Sequence, residues 1–134
     1  MPAQQEVTLE DATKLAVRHM NAGNYRVAEL ALRDILDSVP DHYESMFLLG
    51  MALYHMGNPQ EALNYLKQAA NSNETTPEWL SNYGVILNGM GRQDEAIAAL
   101  DQAEKLDPKN AAILWNNCYA LLLAWRHKES ETIG

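Results

Sequence analysis

The sequence predicts an all-α fold, an α-solenoid built from helix-turn-helix units, and three observations predict it. Glycines recur at 23, 57 and 91, alanines at 28, 62 and 96, and leucines at 32, 66 and 100, so three columns share one period of 34 residues. Each glycine lets the chain reverse through positive φ, so that two antiparallel helices of about 13 residues can pack. No stretch alternates apolar and polar residues as a half-buried strand does, and no Gly/Ser linker divides the chain.

The register of the columns sets the elements in order. Residues 1–8 are expected to be flexible, and the first unit occupies 9–42, opening at the N-cap Thr8 with Asp11 three residues on. The second unit occupies 43–76, where Asn58-Pro59 with Glu61 opens a helix after Gly57. The third, 77–110, begins with the cap and first-turn proline of Thr76-Pro77-Glu78. A column of small residues, Ala16, Gly50, Gly84 and Cys118, runs beside the larger Leu15, Leu49 and Tyr83, and packing in that column accounts for the only thiol. A last helix covers about 111–125 and is apolar nearly all round, which means burial on both sides. Continuing the register puts Glu129-Ser130 where Glu61-Ala62 and Glu95-Ala96 stand, so RHKESETIG reads as a second helix cut short. Residues 111–134 are thus a C-terminal capping helix or the start of an incomplete fourth unit.

Composition narrows the function classes. Of 134 residues, 47% are apolar, and 10 Lys+Arg against 18 Asp+Glu leave a net charge of −8. Ten scattered cations form no basic stripe, so nucleic acid is not an expected partner, and no apolar run is long enough for membrane insertion. The start MPAQQEVTLED has neither a basic n-region nor an apolar h-region, and with one Cys no internal disulfide can form, so a cytoplasmic location is expected. Catalytic chemistry needs converging groups, and none converge. The four His (19, 42, 55 and 127) include no pair three or four apart, and Gly84, Gly89 and Gly91 are followed by Arg92-Gln93 rather than the Lys-Ser/Thr of a phosphate loop. No catalytic residue, metal site or cofactor is expected.

The order of these columns resembles the tetratricopeptide repeat, most fully in the third unit with Leu80, Tyr83-Gly84, Leu87, Gly91, Ala96, Leu100, Ala103 and Pro108. The resemblance implies a right-handed superhelix with a concave groove lined by the first helix of each repeat. On such helices positions 2, 5, 9 and 12 form one stripe. Here they supply Phe47, Met51 and Tyr54 in the second repeat, Val85 and Asn88 in the third, and Trp115 and Tyr119 in the last helix. Asn82 and Asn116 share the next position, where carboxamides could hold a bound backbone. Most acids of the second helices, Glu29, Glu61, Asp94 and Glu104 among them, are read as a solvated convex face. The carboxylate clamp of Hsp70/Hsp90 co-chaperones is not supported, because Thr13, Val17, Glu78 and Asn82 stand where its Lys, Asn, Lys and Arg belong.

The expected function is non-catalytic: a scaffold that binds a protein or peptide segment in the concave groove, with Phe47, Met51, Tyr54, Trp115 and Tyr119 as anchors. Two alternatives stand beside it. The segment DHYESMFLLG and the acidic charge are similar to class II chaperones of type III secretion, which shield apolar client segments. The unfinished fourth repeat would also suit an N-terminal module of a larger glycosyltransferase, sulfotransferase or methyltransferase. An apolar last helix is further expected to pack against a partner, a homodimer through that helix being one arrangement.

Overall fold

The computed structural model describes residues 7–133, with the backbone alone for 130–133. Seven helices follow one another: α1 (Leu9–Asn21), α2 (Tyr25–Ser38), α3 (Tyr43–His55), α4 (Pro59–Ala70), α5 (Pro77–Gly89), α6 (Gln93–Leu106) and α7 (Ala111–Ile133). The odd-numbered helices begin at intervals of 34 residues, and no strand occurs among the described residues. Of the N-terminal segment expected to be flexible, residues 1–6 lie outside the described residues, whereas Thr8 caps α1.

Helix starts and stops have identifiable causes. Thr8 Oγ1 accepts the Asp11 amide at 3.1 Å, and Thr76 Oγ1 accepts the Trp79 amide at 3.1 Å, each satisfying a donor that the first turn leaves without a partner. Gly23, Gly57 and Gly91 take φ of 80°, 81° and 78°, and no other described residue has positive φ. After each, the next amide returns to a carbonyl five residues back, Asn24 to His19, Asn58 to Leu53 and Arg92 to Leu87, at 2.8 to 2.9 Å. This is the Schellman closure, in which a left-handed residue satisfies the last carbonyls while reversing the chain.

The chain divides into two compact units, one ending at Ala69 and the other beginning at Ala70. In the first, Ala16, Ala28, Leu32, Leu49, Leu53 and Leu66 form the core. In the second, Leu80, Leu87, Leu100, Ala103, Ile113 and Ala120 do so. Each fully buried leucine contributes roughly 1.5–3 kcal/mol of transfer free energy. Each core contains, within itself, the same kind of close approach. A Cβ at Gly50 would lie 2.6 Å from Leu66 Cγ and 3.1 Å from the Ala62 carbonyl oxygen. At Gly84 the same atoms of Leu100 and Ala96 lie at 2.7 and 3.2 Å. The small-residue, alanine and leucine columns of the sequence thus meet in one contact made twice, with Gly50 or Gly84 of one helix against the leucine of the next.

Four details depart from the sequence reading. First, α7 does not stop near 125 but continues unbroken to Ile133. Trp125 stands where a fourth turn glycine would fall, so the left-handed reversal is missing and the helix runs on. Second, Cys118 is exposed rather than packed, because no described helix follows α7 to cover it as α4 and α6 cover Gly50 and Gly84. Third, Leu15 is likewise exposed.

Fourth, Glu29 is not a solvated acid. It is 6% exposed, and its carboxylate takes Arg26 Nη1 and Arg33 Nε, both at 2.9 Å. Arg33 also reaches across to α4, donating to Glu61 Oε1 at 2.8 Å and to the Tyr65 hydroxyl at 3.3 Å. The hydrogen bond to Glu61, with Glu29 adding to it, raises the Arg33 pKa above its already high ordinary value. The buried carboxylate is thus compensated within the first unit.

Candidate interaction surface

The side chains that the sequence assigns to a binding face sit on α3, α5 and α7, and they do not share one environment. In the first unit Phe47 is only 7% exposed and belongs to the core, which removes it from the exposed face. α3 is apolar on most sides, so helical spacing alone could not tell its inner from its outer face. Met51 is half-buried and Tyr54 is exposed. The Tyr54 ring meets His55 edge-on with centroids 5.8 Å apart, and His55 stacks on Tyr25 at 4.8 Å. In the same unit Leu9, Thr13, Lys14, Val17, Arg18 and His42, together with Glu10 and Glu44, line an open cleft of about 630 Å³. Lys14 is held by Glu10 at 2.9 Å, a contact that raises its pKa, so the cleft carries charges of both signs. Thr13 and Val17 stand at the fifth and ninth positions of the first repeat and Glu44 at the second position of the second, so the stripe of first-helix positions passes through this cleft. Within it Thr13 Oγ1 donates to the Leu9 carbonyl of its own helix at 2.7 Å.

In the second unit Val85 on α5 is exposed, and on α7 Trp115 is 72% and Tyr119 49% exposed. Both rings stand well into water while the opposite face of α7, with Ile113 and Ala120, is packed. The amides beside them are partly engaged. Asn116 Nδ2 donates to Ser81 Oγ at 3.2 Å, tying α7 to α5, and Asn82 Nδ2 donates to its own helix at the Glu78 carbonyl, 3.0 Å away. Their carboxamide nitrogens are thus used locally, so a ladder of two open amides is not formed. Asn88 is half-buried, and its Oδ1 is enclosed and accepts no hydrogen bond. On the far side of α7, Asn117 Nδ2 donates to Asp101 at 2.8 Å and Glu104 at 3.0 Å, which fixes how the helix is rotated on α6. That rotation is what presents Trp115 and Tyr119 outward.

Among the described residues no group of three or more His, Cys, Asp or Glu is arranged to hold a metal ion. No described helix is long and apolar enough to cross a membrane.

Helix pairs closed by left-handed glycines, joined by glycine–leucine contacts and offering exposed rings on their first helices, define an all-α repeat protein of the interaction-module class. The tetratricopeptide repeat family matches residues 13–74 and 54–111, and the chain belongs to that family. The photosystem I assembly protein Ycf3 of Acaryochloris marina is 33% identical over 86 residues, 62% of this chain, and the chain spans about half, 52%, of that protein's length. Two solved structures show the same fold. The Yersinia enterocolitica type III secretion chaperone SycD, in complex with a peptide of the translocator YopD, matches with TM-score 0.77 at 18% identity, over 91% of this chain and 98% of that one. The first tetratricopeptide domain of Spaghetti (RPAP3), bound to the HSP90 peptide SRMEEVD, matches with TM-score 0.80 at 14% identity, over 87% and 92%.

Proposed function

We propose that the chain binds a polypeptide segment through the exposed faces of its first helices. In the second unit Val85, Trp115 and Tyr119 act as anchors, with Asn82 and Asn116 offering carboxamide oxygens to the segment's amides, whereas the enclosed Oδ1 of Asn88 takes no part. In the first unit Met51 and Tyr54 contribute, and Phe47 supports them from the core. The observation that carries the reading is the exposure of Trp115 and Tyr119 on one helix face, since aromatic anchors dominate the energetics of such contacts. An apolar segment suits this surface. A segment recognised by its C-terminal carboxylate does not, because Thr13 is buried and Glu78 adds a negative charge. Both solved relatives hold peptides, which supports a segment-binding role, and the near-complete overlap with a secretion chaperone favours a chaperone-like version for apolar clients. One exposed thiol suits a reducing compartment such as the cytoplasm.

Selection of segments from a displayed peptide library, followed by calorimetry, tests the proposal. Trp115→Ala and Tyr119→Ala are each expected to weaken a selected apolar peptide by about 1–2 kcal/mol. Binding unchanged within about 0.5 kcal/mol in both variants would overturn it.

A further inference from the structure

The outward face of α7 has an order that segment binding does not use. Ile113, Asn117 and Ala120 are buried, and on the opposite side Trp115, Tyr119, Leu122 and Arg126 are exposed. Their spacing of 4, 3 and 4 is that of a two-helix seam. The four positions are also symmetric about the link between Ala120 and Leu121: Trp115 and Arg126 are equidistant from it, and so are Tyr119 and Leu122. An antiparallel copy of the same helix therefore sets each tryptophan face against a guanidinium and each tyrosine against a leucine. The ring quadrupole attracts the cation, so both ends of the seam are complementary in charge. A parallel copy would set arginine against arginine and tryptophan against tryptophan. Opposed helix dipoles favour the antiparallel arrangement as well. A second helix folding back from the same chain is not available at this point, because α7 passes Trp125 without a turn.

We propose that α7 pairs with α7 of a second copy of this chain, antiparallel, with Trp115 on the partner's Arg126 and Tyr119 on the partner's Leu122. The pairing does not rest on the segment-binding reading. It uses two of the same rings, so a paired α7 is closed to a segment, and binding of a segment opens the pair.

The test is sedimentation equilibrium of the full chain with Arg126→Glu as the central variant. The wild type is expected to dimerise below about 100 µM. Arg126→Glu, on an exposed turn of the helix, is expected to raise the dimer Kd at least tenfold with unchanged helix content and melting temperature. Because Arg126 is no anchor for a segment, this variant keeps the monomer's affinity for a selected peptide at concentrations well below the dimer Kd and gains apparent affinity where the wild type is paired, which separates the two proposals. Cys118 supplies the geometry. In this register the two thiols are offset by five residues, roughly 7–8 Å along the axis. A short bismaleimide therefore joins them and air oxidation does not. A wild type that stays monomeric at about 100 µM, an Arg126→Glu dimer of unchanged affinity, or a ready Cys118 disulfide would each overturn the pairing.

Discussion

A methyl group added at Gly84 would sit 2.7 Å from Leu100 Cγ and 3.2 Å from the Ala96 carbonyl oxygen, whereas one added at Gly89 would meet nothing within 4 Å. Two glycines on one helix should therefore respond oppositely to the same change. Gly84→Ala is expected to destabilise the second unit by about 1–3 kcal/mol, because the backbone carbonyl cannot move aside as a side chain can. Gly89→Ala is expected to be neutral or to stabilise by up to about 1 kcal/mol through the unfolded chain. Urea unfolding of both variants checks the pair, and equal midpoints would contradict the close-approach account. Beside Gly84, burial first and Glu95 second hold the Tyr83 phenol above its ordinary pKa of 10.0. The folded state then keeps this proton more tightly than the unfolded state. Its contribution is fully present below pH 10 and is lost as pH rises through the folded value. Tyr83→Phe is expected to flatten that alkaline slope in pH-dependent melting. The glycine columns were legible because the turn favours glycine and the close contact admits only small residues, Ala16 as well as Gly50 and Gly84. Phe47 was not, since a helix with apolar residues on most sides leaves spacing without a direction.

At the scale of elements, the sequence shows Arg26, Glu29 and Arg33 at helical spacing on α2 but cannot show that Glu61 and Tyr65 meet them from α4. That meeting is what allows Glu29 to be buried. Removing Arg33 would strand Glu29 with Arg26, whose side chain is largely in water, and would break the α2–α4 link. Arg33→Ala is expected to cost about 1–3 kcal/mol in denaturant unfolding, less than a fully buried pair because Arg33 is itself partly hydrated. A cost below about 0.5 kcal/mol would mean that the link is only an exposed ion pair. The fate of α7 was written in the sequence more plainly than its register suggested. Counting the glycine period onward reaches Trp125, and a tryptophan meets a steric cost in the left-handed turn that glycine does not, so the helix continues. Glu129-Ser130 matches the earlier helix starts in position, but without a preceding turn it only lengthens α7. The exposure of Cys118 follows from the same cause, since a small residue is packed only where a following helix arrives.

For the molecule as a whole, the net charge of −8 sets how copies meet one another. Each chain repels its copy, while the α7 seam adds aromatic, aliphatic and guanidinium groups and no exposed acid between Trp115 and Arg126. Salt therefore acts on two opposed contributions. It screens the long-range repulsion, which at a separation of roughly 30 Å extends over several Debye lengths at physiological salt and little more than one at low salt. It leaves ring–guanidinium contact and apolar burial almost unchanged. Dimerisation is thus expected to tighten with added NaCl, on the order of tenfold between about 20 and 200 mM. Most interfaces built on surface ion pairs weaken under the same change. Lowering the pH toward the isoelectric point of about 4.8 removes the repulsion by protonation instead of screening, and should tighten the pair at low salt as well. Sedimentation equilibrium across a salt series at neutral pH decides the matter. A dimer that dissociates as salt rises would show that copies meet through their acidic and basic surfaces rather than through the seam of α7.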